Sequence, residues 1–257
     1  MNERRKRAGS IGGPPALSRP LMRLSSFPPG GAAVVIGASG GIGGAVADIL
    51  DASGAFARID RLSRRSDPAI DLEDEATMER AAAMIGGRPE PVRLVLNATG
   101  FLHGDGIEPE KALSRLTCEG LERNFAVNAT GPALLMKHLV PLLPREGRSI
   151  YASVTAKVGS IADNRLGGWI SYRAAKAAQN QIIRTVAIEV ARRRPDAVIV
   201  ALHPGTVRSA LSQPFAKSGL NVMAPEESAA AMLRVLDGLG PEDTGTFRSY
   251  EGEILPW

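Results

Sequence analysis

A single cysteine, Cys118, is the whole thiol complement of this 257-residue chain. That excludes an intrachain disulfide and any multi-cysteine metal cluster, and it suits a reducing compartment. Cys118 lies in the polar stretch LTCEGLERN with no histidine nearby, so it reads as a small helix residue rather than a catalytic thiol. The three histidines, His103, His138 and His203, have no ligand-like spacing, and no metal is expected. Aromatic residues make up only 4%, too few for a platform that stacks single-stranded nucleic acid. No apolar run approaches the ~20 residues needed to span a bilayer, and no secretory apolar core is visible. The expected location is cytoplasmic.

Acidic residues are scarce in one place. Residues 1–30 hold six basic side chains against Glu3 alone, while the remainder holds 25 basic and 26 acidic residues. The net charge of +4 is therefore a property of the tail and not of a nucleic-acid-binding face. The Arg-rich, acid-poor tail has the composition of a targeting segment, but its prolines and glycines fit an amphipathic helix poorly. A disordered basic extension over 1–28 is favoured, including the alternative of upstream sequence before a start at Met22. The folded domain is expected over 29–257.

What the chain does have is an ordered alternation of strands and helices. AAVVIG (32–37) reads as a buried strand, 41–54 as a helix stopped by Gly54, and 56–65 as a strand ending in basic residues. A helix with an acidic first turn is expected over 73–87, a strand over 92–100 and a long helix over 117–142. Strands at 149–155 and 197–205 alternate with helices at 172–193 and 225–239, the last begun by Pro225. This pattern predicts the α/β class: a single Rossmann-like, doubly wound parallel sheet with helices on both faces.

The segment VVIGASGGIGGAVA carries Gly37, Ser39, Gly40, Gly41, Ile42 and Gly43 between the first strand and the first helix. A tight turn, a diphosphate close to the backbone and close helix–strand packing all require glycine here. The helix N-terminus offers N–H groups and a positive dipole end to phosphates. The segment resembles the short-chain dehydrogenase/reductase family pattern TGxxxGIG, with Ile36 in the threonine position. The resemblance runs over about residues 31–257. LNATG resembles the family's NNAG element through Asn97, Ala98 and Gly100. FAVNATGP resembles the helix carrying its active-site Asn, here Asn128, and YRAAK is its Y-x-x-x-K. HPGTVRS resembles its PG motif through Pro204, Gly205, Thr206 and Val207, with Ser209 where Thr is common. VGSIADNRLGGWISYRAAKAAQNQ, HPGTV and the closing EGEILPW are similar to the C-factor-like and sniffer-like carbonyl reductase branch.

Tyr172 and Lys176 are four apart on a helix and share one face. A phenol is a poor acid at neutral pH, with a reference pKa of ~10. An ammonium beside it, or the positive ring of an oxidised nicotinamide, stabilises the phenolate. The tyrosine then donates a proton to a carbonyl oxygen while hydride reaches the carbon. The resemblance implies that Asn128 holds a water in the proton relay and that Lys176 also contacts the nicotinamide ribose. The family's fourth member, a serine, falls on Ala156. Thr155 is adjacent and Ser153 lies two residues before it on the same strand face. Either hydroxyl could take over the substrate carbonyl, or neither does and this function is weakened.

An acidic residue at the end of the second strand would bind the ribose of NAD and repel a 2′-phosphate. The chain has Ser63, Arg64 and Arg65 there, a good phosphate seat, so NADP is expected and NAD less so. Asp60 is placed mid-strand. Asp71 and Leu72, after a further short strand, resemble the family's adenine-edge contacts. His203 reads as a structural hydrogen-bonder, and 208–222 as a mobile lid over a small-molecule carbonyl or alcohol substrate. Leu134, Leu135, Ile182, Ile183 and Val186 exceed what one core stripe needs, and the resemblance implies a homodimer or homotetramer through them. The leading expectation is a carbonyl reductase. The alternative is a nucleotide-binding signalling protein that uses the fold as a redox sensor.

Overall fold

The computed structural model describes residues 22–208 and 222–257. Strands β1 (Ala32–Ile36), β2 (Arg58–Leu62), β3 (Val92–Asn97), β4 (Ser149–Val154), β5 (Ala197–His203) and β6 (Phe247–Ser249) form one sheet in the order β2-β1-β3-β4-β5-β6. Every pairing is parallel. The chain steps from β1 outward to β2 and then returns across β1 to β3, so the topological switch point lies between β1 and β3.

The side chains of β1 alternate between two apolar layers, as strand periodicity demands. Val34 and Ile36 pack with helices α2 (Glu75–Gly86), α4 (Gly131–Leu139) and α5 (Ile170–Ala191). Ala33 and Val35 pack with α1 (Gly41–Ser53) and α6 (Pro225–Gly238). Helix α1 ends at Gly54 with φ +64, and Asp74 caps α2 by accepting from Ala76 N–H. The long helix expected over 117–142 is interrupted. Thr117 caps α3 (Cys118–Phe125), a π-helical turn follows over 126–130, and α4 then runs to Leu139.

Several expectations are corrected. The strand β6 is an element the sequence pattern did not reveal. Before Asp71 there is no strand but a loop with a lone bridge between Asp71 and Asp74. Leu135 and Ile183 lie in the core, while Leu134, Ile182 and Val186 pack partly buried against it. Leu24 and Phe27 are buried in the α1/α6 layer, so the domain begins before residue 29. Residues 1–21 and 209–221, with Ser209 and most of the expected lid, lie outside the described residues. The ends of that segment are joined, Arg208 N donating to Met223 O and Met223 N to Thr206 O (both 2.9 Å). Among the described residues no helix is long and apolar enough to cross a membrane.

Candidate active site

Steric need places the glycines. Gly37 has φ +83, and a Cβ there would lie 3.1 Å from the Ala98 carbonyl, so glycine lets the ends of β1 and β3 meet. A Cβ on Gly43 would stand 2.2 Å from Gly37 O. Ser39, Gly40, Gly41, Ile42 and Gly43 thus close a tight turn onto α1, whose N-cap Gly40 makes no side-chain cap bond. The first-turn N–H groups and the positive dipole end have no internal partner by helix geometry, and this suits a phosphate. Gly37 N and Ala38 N donate to Leu62 O (2.9 and 3.0 Å), which sets Ser63, Arg64 and Arg65 beside the turn. Arg64 and Arg65 are exposed and have no ion pair among the described residues. Asp60 is mid-strand and buried, its carboxylate held by Arg58 and Arg88 (2.9 Å each). Asp60 is therefore already paired with two guanidinium groups. A cradle that excludes Cβ atoms beside two unpaired guanidinium groups fits a dinucleotide with an added phosphate.

The ends of the other strands lie on the same sheet edge. Ala98 N donates to Ile36 O (2.9 Å), and Asn97, fully buried, donates to Ser153 Oγ (3.1 Å) opposite it on β4. At the end of β5, Gly205 has φ +78, Pro204 O accepts from Ser228 Oγ (2.7 Å), and Val207 bridges Met223. Asp71 is occupied with its own turn, its N–H on Thr77 Oγ1 (2.9 Å) and its Oδ1 on Glu73 N–H (3.1 Å). Leu72 is a core residue packed against Gly131.

Helix α5 brings Tyr172 and Lys176 to this edge. Lys176 Nζ sits 5.9 Å from the Tyr172 ring centroid and 3.4 Å from Val154 O at the end of β4. Both side chains are buried. Burial raises the Tyr172 phenol well above its ordinary value and brings the Lys176 amine down to about 7. Gly100 lies over Lys176 and Asn128, since a Cβ there would be 3.7 Å from Lys176 Nζ and 3.6 Å from Asn128 Oδ1. Asn128 comes from the π turn, a feature frequent at functional sites. Its amide clamps Phe101, accepting from its N–H (3.0 Å) and donating to its carbonyl (2.7 Å), and it also donates to Asn124 Oδ1 (3.2 Å).

The two hydroxyls beside Ala156 are both engaged. Ser153 Oγ accepts from Asn97 and Gln179, and Thr155 Oγ1 donates to Asn180 Oδ1 (2.8 Å). His203 is a neutral acceptor for Lys157 N–H (3.3 Å), its pKa brought down to about 4 by burial and then by the Lys157 charge. Cys118 is exposed on α3, and Glu122 beside it raises the thiol pKa. Three residues at the site escaped the sequence reading. Gln179 shares the face of Tyr172 and Lys176, at helical spacings of four and three. Glu110 is a buried carboxylate that accepts from the N–H (3.2 Å) and hydroxyl of Ser171, tying down the start of α5. Trp169 has φ +53 after two left-handed glycines and meets Tyr172 edge-on at 6.3 Å. The spacing exposes Gln179; nothing local exposes the other two.

Comparison with known proteins shows the family. The short chain dehydrogenase family model matches residues 31–220. C-signal of Myxococcus xanthus is 37% identical over 147 residues, covering 57% of this chain and 84% of that protein. The 1-hydroxy-2-glutathionyl-2-methyl-3-butene dehydrogenase of Rhodococcus sp. (strain AD45) is 29% identical over 192 residues, covering 74% and 80%. Among solved structures, the NADPH-bound carbonyl reductase from chicken fatty liver aligns with a TM-score of 0.78 at 23% identity, covering 89% of this chain and all of that one. The carbonyl reductase Sniffer of D. melanogaster aligns at 0.76 and 20% identity, with 89% and 100% covered. At such identities the structural likeness carries the fold, and the family match carries the membership. The chain belongs to the short-chain dehydrogenase family of NAD(P)-dependent oxidoreductases.

Proposed function

We propose that this protein reduces a carbonyl group with NADPH, or oxidises the corresponding alcohol in reverse, with Tyr172 as general acid and base. The observation that carries this reading is the buried Tyr172–Lys176 pair on one face of α5, beside the end of β4. Bound NADPH supplies the hydride. Tyr172 holds the proton that a reduced carbonyl oxygen requires, and burial alone makes it a reluctant donor. The Lys176 ammonium offsets this by stabilising the phenolate left behind. Asn128 fixes the loop after Gly100 through Phe101, and this loop faces the amine. With Ala156 in the serine position and both neighbouring hydroxyls engaged, Tyr172 acts on the carbonyl oxygen without a serine partner. Ser63, Arg64 and Arg65 support NADP over NAD, as does the description of the similarly folded chicken enzyme with NADPH bound.

The test is steady-state NADPH oxidation over a panel of aldehydes, ketones and quinones. Tyr172→Phe keeps the ring and the cofactor seat but removes the proton donor, so turnover is expected to fall ~10²–10⁴-fold. Lys176→Ala is expected to lower turnover and to weaken NADPH binding. Near-wild-type turnover in Tyr172→Phe would overturn the mechanism. A second reading, a nucleotide-binding signalling protein with little turnover, is favoured by Ala156 and by the likeness to a protein named C-signal. Tight NADPH binding without turnover across the panel would select it.

A further inference from the structure

A buried polar chain runs beneath Lys176, and the proposed proton transfer does not by itself call for it. Gln179 is 1% exposed. Its Oε1 accepts from Lys176 Nζ (2.9 Å) and its Nε2 donates to Ser153 Oγ (2.9 Å). Ser153 Oγ takes its second bond from Asn97 Nδ2 (3.1 Å), and Asn97 Oδ1 accepts from the N–H and hydroxyl of Thr99 (3.1 and 2.6 Å). The amine of Lys176 is thereby tied through β4 and β3 to the loop that crosses the site at Gly100. A buried amide is costly unless both of its ends are bonded, and here both are. The other acceptor of Nζ, Val154 O at 3.4 Å, is long for a hydrogen bond. Gln179 is the better placed of the two.

We propose that Gln179 is the positioning residue that holds Lys176 against Tyr172 and sets how readily the amine keeps its proton. The proposal rests on the Tyr172–Lys176 reading above. A carbonyl oxygen aimed at Nζ favours the ammonium over the amine, against a burial that favours the amine. Surrounding charges do not substitute for it. Glu110 is bonded to Ser171, Lys157 pairs with Asp163 at 3.7 Å, Arg173 donates to the carbonyls of Gly168 and Val158, and His203 is neutral. Tyr172 is the titratable neighbour across the ring contact.

The proposal is tested on the full chain labelled with ¹³C at lysine Cε, whose six lysines make Lys176 assignable by its loss in Lys176→Arg. Gln179→Leu deletes the acceptor and Gln179→Glu replaces it with a carboxylate. The Lys176 titration midpoint is expected to fall by about one unit in the first and to rise by about one unit in the second. The alkaline limb of carbonyl reduction is expected to move the same way in each. A merely structural role shifts both variants in one direction or neither. Midpoints that coincide with wild type, or that move together, overturn the proposal. If Gln179→Leu fails to fold, the near-isosteric Gln179→Glu carries the test, and a midpoint that does not rise overturns it. The midpoint is read without turnover, so a Tyr172→Phe variant that stays active sinks the reaction reading and leaves the Gln179 result to be judged separately.

Discussion

Burial acts in opposite senses on the two titratable groups of α5, raising the Tyr172 phenol and lowering the Lys176 amine. Each departs from its ordinary value in the direction that removes its charge, so burial alone favours a neutral pair. A positive charge arriving with the oxidised nicotinamide would draw the phenol back toward a useful acidity. Tyr172 and Lys176 were legible because a four-residue spacing on a helix fixes a shared face. Ser153 and Thr155 were legible only as strand positions, since periodicity gives the face of a side chain but not the partner that takes its hydroxyl. That partner is Gln179 or Asn180, more than twenty residues away. The basic seat after β2 permits a sharper test. Arg64 is exposed and has no ion pair among the described residues, so its guanidinium is available for a 2′-phosphate. Arg64→Asp is expected to invert or flatten the preference for NADPH over NADH, with little change in melting temperature, because a solvated side chain away from packing rarely moves stability by more than ~0.5 kcal/mol. Fluorescence titration with both cofactors checks this, and a wild type that binds NADH more tightly would refute it.

At the scale of elements, the ones read correctly were those with two independent signals. The helix α1 has glycine at its C-cap and an apolar face, and α2 has Asp74 at its N-cap and a glycine stop. The inner strands β1, β3, β4 and β5 are mostly apolar and almost wholly buried, as a parallel sheet covered on both faces requires. The π turn inside the long helix had no such mark, because its residues, AVNAT, include no glycine or proline that would break a helical pattern. Yet that turn presents Asn128. Strand β6 is three residues, FRS, too short for any periodicity, and it exists because β5 offers an edge to pair with. Within it, Arg248 is bonded to Asp243 and to Gly252 O (3.0 Å for the latter), so side chains rather than strand propensity hold this edge. The closing segment is likewise fixed by tertiary contact. Trp257 stacks on Phe247 at 5.5 Å, and its carbonyl accepts from Ala162 N–H (3.0 Å) and Ser160 Oγ (3.2 Å), which ties the C-terminus to the loop following Ala156.

At the scale of the whole molecule, the burial of Leu24 and Phe27 argues for a domain boundary ahead of residue 29. We propose a homodimer or homotetramer built on α4 and α5, where Leu134, Ile182 and Val186 are only partly buried and Ile188 is 48% exposed. Light scattering at micromolar concentration is expected to give a multiple of the 27.1 kDa chain mass, and a monomer would end the proposal. The N-terminal edge of the domain yields a separate prediction. Residues 1–28 are rich in Arg, Pro and Gly, a composition that by itself predicts a stretch dispensable for folding. Two apolar residues near the end of that stretch behave otherwise. Phe27 is buried against Phe56 with ring centroids 5.1 Å apart, and the Arg148 guanidinium covers it at 5.3 Å. Leu24 is buried in the same layer, and Ser26 bonds Asp237 through both its N–H (3.1 Å) and its hydroxyl (2.5 Å). Residues 24–27 therefore tie the end of α6 to Phe56, ahead of β2, and to Arg148, ahead of β4. A chain starting at Met22 keeps all of these contacts and is expected to melt with the full-length protein. A chain starting at Pro28 loses them. Deleting one buried Phe typically costs ~3–5 kcal/mol, and a domain of this size loses ~2–4 °C per kcal/mol. The melting temperature is therefore expected to drop by roughly 10 °C. NADPH binding is expected to survive at low temperature, since the proposed cofactor seat lies at the opposite, C-terminal edge of the strands. Calorimetry of the two truncations side by side decides the boundary, and equal melting temperatures would place it after Pro28.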